Sequence, residues 1–145
     1  MVQNKESKQQ EVVLDVVTVM YVKSESGVTG AKEAFDALES KLVSLRGRKF
    51  YGTYDPRTDE YRACVAVQSD DDPPRLGLPT WTVPGGVYVR EKMKNWVTRI
   101  PDIGKTFVMM AERAGDRLDD SRPSVEFYRS QSELILLLPV LTKEK

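Results

Sequence analysis

The sequence predicts an α+β protein built from duplicated strand–helix–strand–strand modules related by pseudo-two-fold symmetry. Three observations carry this. The same order of elements occurs twice: a β-rich run, an amphipathic helical stripe, then two short β-rich runs. A segment dense in Asp, Pro and Gly, residues 70–79, separates the two passes. The length of 145 residues fits one domain, or two half-domains sharing a core.

Residues 1–11 are polar and read as a disordered leader to a single domain over 12–145, with half-modules 12–69 and 80–140. Val12–Val22 is rich in Val and apolar on both faces, as in a central strand. Ser24–Thr29 is a polar loop that ends on a candidate N-cap, Thr29. From Ala31 to Arg46, apolar residues at Ala31, Ala34, Phe35, Leu38, Leu42 and Leu45 follow helical spacing, and Gly47 suits the C-terminal stop. Arg48–Tyr54 and Tyr61–Gln68 flank the turn residues 55–59 and read as a hairpin.

After the linker the order repeats. Thr80–Glu91 is strand-like, with Pro84-Gly85-Gly86 inside it as a bulge or bend. Residues 94–115 are helical in two pieces, the second beginning at Pro101, because Pro suits a first turn and damages an interior. Ile103, Phe107, Met110, Ala111 and Ala114 form its apolar stripe. Pro123–Arg129 and Glu133–Val140 form a second hairpin, and Leu134–Leu138, apolar on both faces, should be an inner strand. With helices on one side of the sheet, the opposite face would line a groove between the halves.

Composition excludes several chemistries. The chain has no His, so it has no His general base, no Ser-His or Cys-His nucleophile pair and no His-ligated zinc or haem. Its one cysteine, Cys64, cannot form an internal disulfide or a Cys-rich metal site and reads as a small buried apolar residue. Asp70-Asp71-Asp72, directly before two prolines, reads as a solvated loop and not as a metal site. No metal and no cofactor is implied. Zero net charge argues against a nucleic-acid partner held by phosphate attraction, and no apolar run is long enough to span a membrane. Without a signal-peptide stretch, a soluble, cytoplasmic protein is expected.

The second hairpin is the segment that can carry chemistry. In Pro123-Ser124-Val125-Glu126-Phe127-Tyr128, alternation puts Val125 and Phe127 on one face, against the helices, and Ser124, Glu126 and Tyr128 on the other. Alternation leaves two readings of Glu126 open. It is either a carboxylate sheltered by aromatic rings in a groove, or a solvent-facing strand residue paired with Arg62 or Arg129. Aromatic residues are frequent in the strands (Phe50, Tyr51, Tyr54, Tyr61, Trp81, Tyr88, Tyr128), and Trp96 lies beside the second helix. Such rings attract cations and flat apolar molecules, although strand aromatics also serve simply as core.

Val83-Pro84-Gly85-Gly86-Val87-Tyr88, a helix, Pro123-x-x-Glu126-x-Tyr128 and a final apolar strand ending in Pro139-Val140 together resemble the GyrI-like (gyrase-inhibitor-like) small-molecule-binding family. Tyr51-Gly52-x-Tyr54-Asp55 looks like that family's first hairpin, and the resemblance runs from Val12 to Val140. Gly85 departs from the family's usual Ala. The resemblance implies a central cleft for apolar, aromatic or cationic small molecules, as in effector domains of multidrug-responsive regulators and in freestanding members. It also places Glu126 in that cleft. Candidate ligand-binding residues are Glu126, Tyr128, Tyr51, Tyr54, Trp81, Tyr88, Trp96 and Phe107. With no DNA-binding element in the leader, a freestanding binder is expected, its oligomeric state open. The alternatives are a hydrolase of reactive cyclopropane-type genotoxins, with Glu126 as acid or base and Tyr88 or Tyr128 steadying developing charge, and a protein-interaction domain whose cleft is filled by side chains.

Overall fold

The computed structural model describes residues 9–142. Eight antiparallel strands form one sheet: β1 (Gln10–Leu14), β2 (Val17–Lys23), β3 (Phe50–Asp55), β4 (Glu60–Ala66), β5 (Thr80–Val83), β6 (Gly86–Lys94), β7 (Ser124–Tyr128) and β8 (Glu133–Pro139). Three helices accompany it: α1 (Ala31–Ser40), the single turn α2 (Pro73–Leu76) and α3 (Ile100–Ala114). The spatial order is β1-β6-β8-β7-β3-β4-β2-β5. Two strand–helix–strand–strand passages therefore lie on either side of the β7/β3 seam.

The run expected as one central strand, Val12–Val22, is two strands. β1 pairs with β6 at one edge of the sheet, and β2 pairs with β4 and β5 at the other. Only Asp15 and Val16 separate them. The same crossing is made in reverse by Pro84 and Gly85, between β5 and β6. A chain can step between opposite edges in two residues only if the edges lie close, so the sheet must curl into a half-barrel. Pro84-Gly85-Gly86 is thus a crossing between strands and not a bulge. Gly85 lies where the two crossings touch: a Cβ there would sit 2.7 Å from the Leu14 carbonyl oxygen and 3.0 Å from the Val16 nitrogen.

The curl gives the sheet two different faces. One closes on itself into a core made only of strand residues, among them Val19, Cys64, Val83, Tyr88, Val125, Ile135 and Leu137. The other carries both long helices. α1 lays Ala34 and Leu38 on Met20, Ala63 and Val65, over β2 and β4. α3 lays Ile103, Phe107, Met110 and Ala111 on Val89, Met93, Leu134 and Leu136, over β6 and β8. β8 is covered on both faces, which explains its uninterrupted apolar run. Val125 and Phe127 therefore pack into the strand-only core and not against the helices. The groove lies on the helical face, because curling already fills the other.

Local boundaries shift in explicable ways. α1 stops at Ser40, where the Lys41 amide turns back to Leu38, so Leu42 and Leu45 follow the helix instead of belonging to it. The segment 70–79 contains α2, closed by Gly77 in the left-handed region (φ 75°). Asp71 is less solvated than expected, since it takes both terminal nitrogens of Arg48. Pro101 sits in the first turn of α3, after β6 and a short 3-10 turn at Trp96–Thr98. Gln10 and Glu11, read as leader, open β1, because β6 offers them a pairing edge; residues 1–8 of the leader lie outside the described residues.

Candidate functional site

α1 and α3 leave the central strands β3 and β7 bare between them. The result is an open cleft of about 1030 Å³ with strands as floor and helices as walls. Floor residues follow from alternation: Phe50, Gly52 and Tyr54 on β3, and Ser124, Glu126 and Tyr128 on β7, face the helices. Tyr61 enters from β4. The walls are apolar, with Phe35 from α1, Ile103 and Phe107 from α3, and Trp96 from the turn before it.

Glu126 lies at the centre, 7% exposed. Its Oε1 accepts two hydrogen bonds, from the Tyr61 hydroxyl at 2.7 Å and the Tyr128 hydroxyl at 2.6 Å. Oε2 has no such donor among the described residues. Burial pushes the carboxyl up from the usual carboxylate range, and the two phenols pull it partly back. Burial, then the charge of Glu126, holds both phenols well above the ordinary tyrosine value, so they remain donors. The rings are braced from above. Phe35 meets Tyr128 edge-on at 5.3 Å and Tyr61 at 6.3 Å, while Trp96 meets Tyr128 at 5.0 Å.

Glu126 has no cationic partner among the described residues. The expected alternatives are engaged elsewhere: Arg62 bonds Glu60 on the far face and Arg129 bonds Glu133. The bases that line the cleft are each already paired, Lys32 with Asp36, Arg48 with Asp71, Arg122 with Asp119 and Arg129 with Glu133. The site therefore offers one sheltered negative charge, an open oxygen and surrounding ring faces. That arrangement can hold a cation of low hydration, or take a proton from a bound water.

Of the sequence-derived candidates, Glu126, Tyr128, Tyr54, Trp96 and Phe107 come together around the cleft. Tyr51, Trp81 and Tyr88 do not. Tyr51 is three residues from Tyr54, an odd step, so it faces the other side and stacks on Phe127 at 5.0 Å. Trp81 lies on edge strand β5, against Tyr21 and beneath the Arg62 guanidinium. Tyr88 is buried in the strand-only core, where its hydroxyl donates to the Pro84 carbonyl. The site also holds Tyr61, Phe35 and Gly52, which the local sequence does not single out. Phe35 reads as ordinary helix core. Tyr61 shares a face with Glu126 only through the pairing of β4, β3 and β7, and its one local trace is a glycine in the middle of the intervening strand.

No family model and no curated protein matches the sequence. Solved structures do share the fold. An integron cassette protein from the mobile metagenome of Vibrio cholerae superposes with a TM-score of 0.69 at 14% identity, over 91% of this chain and 95% of that one. A protein solved with bound tetraphenylphosphonium gives 0.62 at 12%, over 92% and 93%. A hydrolase from Listeria innocua gives 0.54 at 14%, over 92% of each chain. Across the described residues no helix is long and apolar enough to cross a membrane.

Proposed function

We propose that the chain binds a lipophilic aromatic cation in the cleft between α1 and α3, with Glu126 as the counter-charge. The observation that carries this reading is a buried carboxylate held by two phenols, with no basic partner among the described residues, at the floor of an aromatic cleft. Glu126 itself is buried at the floor, so a strongly hydrated ion would lose more solvation in reaching it than one carboxylate returns. A cation shielded by aromatic groups loses little and gains ring contacts. The neighbour solved with tetraphenylphosphonium supports the same class of ligand.

A GyrI-like, multidrug-binding assignment and a duplicated architecture accord with this reading. The order β6-β8-β7 on one side of the seam is answered by β2-β4-β3 on the other, each passage contributing one helix. A second reading is a hydrolase in which Glu126 takes a proton from water. It is favoured by the upward-shifted carboxyl with one open oxygen and by a neighbour described as a hydrolase. Here Tyr128 or Tyr61 would steady developing charge, since Tyr88 lies on the other face.

Titration calorimetry with tetraphenylphosphonium, against the neutral triphenylphosphine oxide, tests the binding reading. A charge pair at about 6 Å, the approach that the phenyl groups allow, is worth about 3 kcal/mol at an effective dielectric near 20, so Glu126→Gln should weaken the cation by on the order of 100-fold and leave the neutral compound unaffected. Equal binding of the cation by wild type and Glu126→Gln would remove the proposal. Electrophilic cyclopropanes added to the same panel and assayed for ring opening separate capture from turnover.

A further inference from the structure

We propose that Gly52 is the positioning residue of the cleft carboxylate: its missing side chain leaves the space in which the Tyr61 hydroxyl and Glu126 Oε1 meet, and so sets how tightly the cleft holds a cation. This rests on the cation-binding reading for its ligand, though not for its geometry.

Gly52 is buried in the middle of β3, directly opposite Glu126 on β7 and Ala63 on β4. Its backbone does not adopt the left-handed conformation that favours glycine. A glycine in a strand interior costs backbone entropy and packs nothing, so its presence points to something that approaches closely. The approaching groups are the carboxylate at the cleft floor and one of its phenol donors. A Cβ built on Gly52 would lie 2.9 Å from Cζ of Tyr61, and closer still to the Tyr61 hydroxyl and to Glu126 Oε1.

Neither group can give way freely. Tyr61 is fully buried, with its ring braced by Phe35, so the hydroxyl cannot swing aside within the core. Glu126 can rotate, but only by leaving the two phenols that share its Oε1. The small pair Gly52 and Ala63 thus makes a dent in the sheet, and the phenol oxygen of a large residue fills it. Gly52 touches no ligand and acts wholly through Tyr61 and Glu126.

The test uses Gly52→Ala, Tyr61→Phe and the double variant. Two quantities are read: the pH midpoint of the Glu126 carboxyl, from its side-chain carbon resonance, and tetraphenylphosphonium affinity. Gly52→Ala should move the midpoint upward, because it separates a phenol donor from the carboxylate, and should weaken the cation at least tenfold. Tyr61→Phe should do the same. In the Tyr61→Phe background, Gly52→Ala should add less than it does alone, because one of the two oxygens it meets is gone and Glu126, no longer bonded to that phenol, can turn away from the new methyl. If Gly52→Ala fails to fold, the double variant should fold; a double variant equally unfolded overturns the proposal. So does a folded Gly52→Ala with an unmoved midpoint, or an equal effect in both backgrounds. A shifted midpoint in a protein that never binds the cation supports the positioning role and overturns the ligand reading alone.

Discussion

Arg122 offers a quantitative check on how the half-barrel is held shut. Its guanidinium donates to three backbone carbonyls, Gly85 at 3.1 Å, Val87 at 3.1 Å and Val140 at 2.9 Å, and its Nε donates to Asp119 at 2.9 Å. It also lies 4.8 Å from the centre of the Tyr88 ring. One side chain thereby ties the β5–β6 crossing to the end of β8. Arg122→Met keeps the apolar stem and removes every one of these bonds. The Val87 carbonyl retains the Val140 amide at 3.1 Å, so the loss falls mainly on Gly85 and Val140. Two hydrogen bonds from a charged donor, at about 1.5–3 kcal/mol each, give a cost of about 3–6 kcal/mol. Against a total stability of about 5–15 kcal/mol that is a large fraction. Urea unfolding followed by tryptophan fluorescence should show a lower midpoint with an unchanged slope, and the melting temperature should fall by roughly 10–20 °C. Arg122→Lys should recover less than half of the loss, because an ammonium cannot fork to three carbonyls. A cost below about 1 kcal/mol, or full rescue by lysine, would refute the clamp.

Two further expectations concern titration and reactivity. The Glu126 carboxyl is raised in the folded state, chiefly by burial, so it favours folding below its unfolded value and loses that contribution as pH rises through the folded one. Glu126→Gln should therefore be more stable than wild type at neutral pH, with the gap closing toward about pH 4, near the free carboxyl value; a gap that widens in acid contradicts the burial argument. Cys64 is buried, with its thiol pushed up to about 12, so Ellman's reagent should leave the native protein unmodified and react at once in urea. Prompt reaction of the folded protein would mean that the strand-only core opens.

Local sequence determined the parts of this protein that depend on period. Ala34 and Leu38 share a helical stripe, Leu134–Leu138 is apolar on both faces, and Glu126 must share a face with Ser124 and Tyr128. Alternation distinguishes two faces of a strand but does not say what covers either. The curl of the sheet decided that, by closing one face on itself and leaving the other to the helices. It sent Tyr51, Trp81 and Tyr88 away from the cleft and turned Pro84-Gly85 into a crossing between edges. The partners of Glu126 divide the same way. Tyr128 is two residues along its own strand, so alternation alone places it on the carboxylate's face. Tyr61 is 65 residues distant and reaches the carboxylate across Gly52, through a strand pairing that no local pattern encodes.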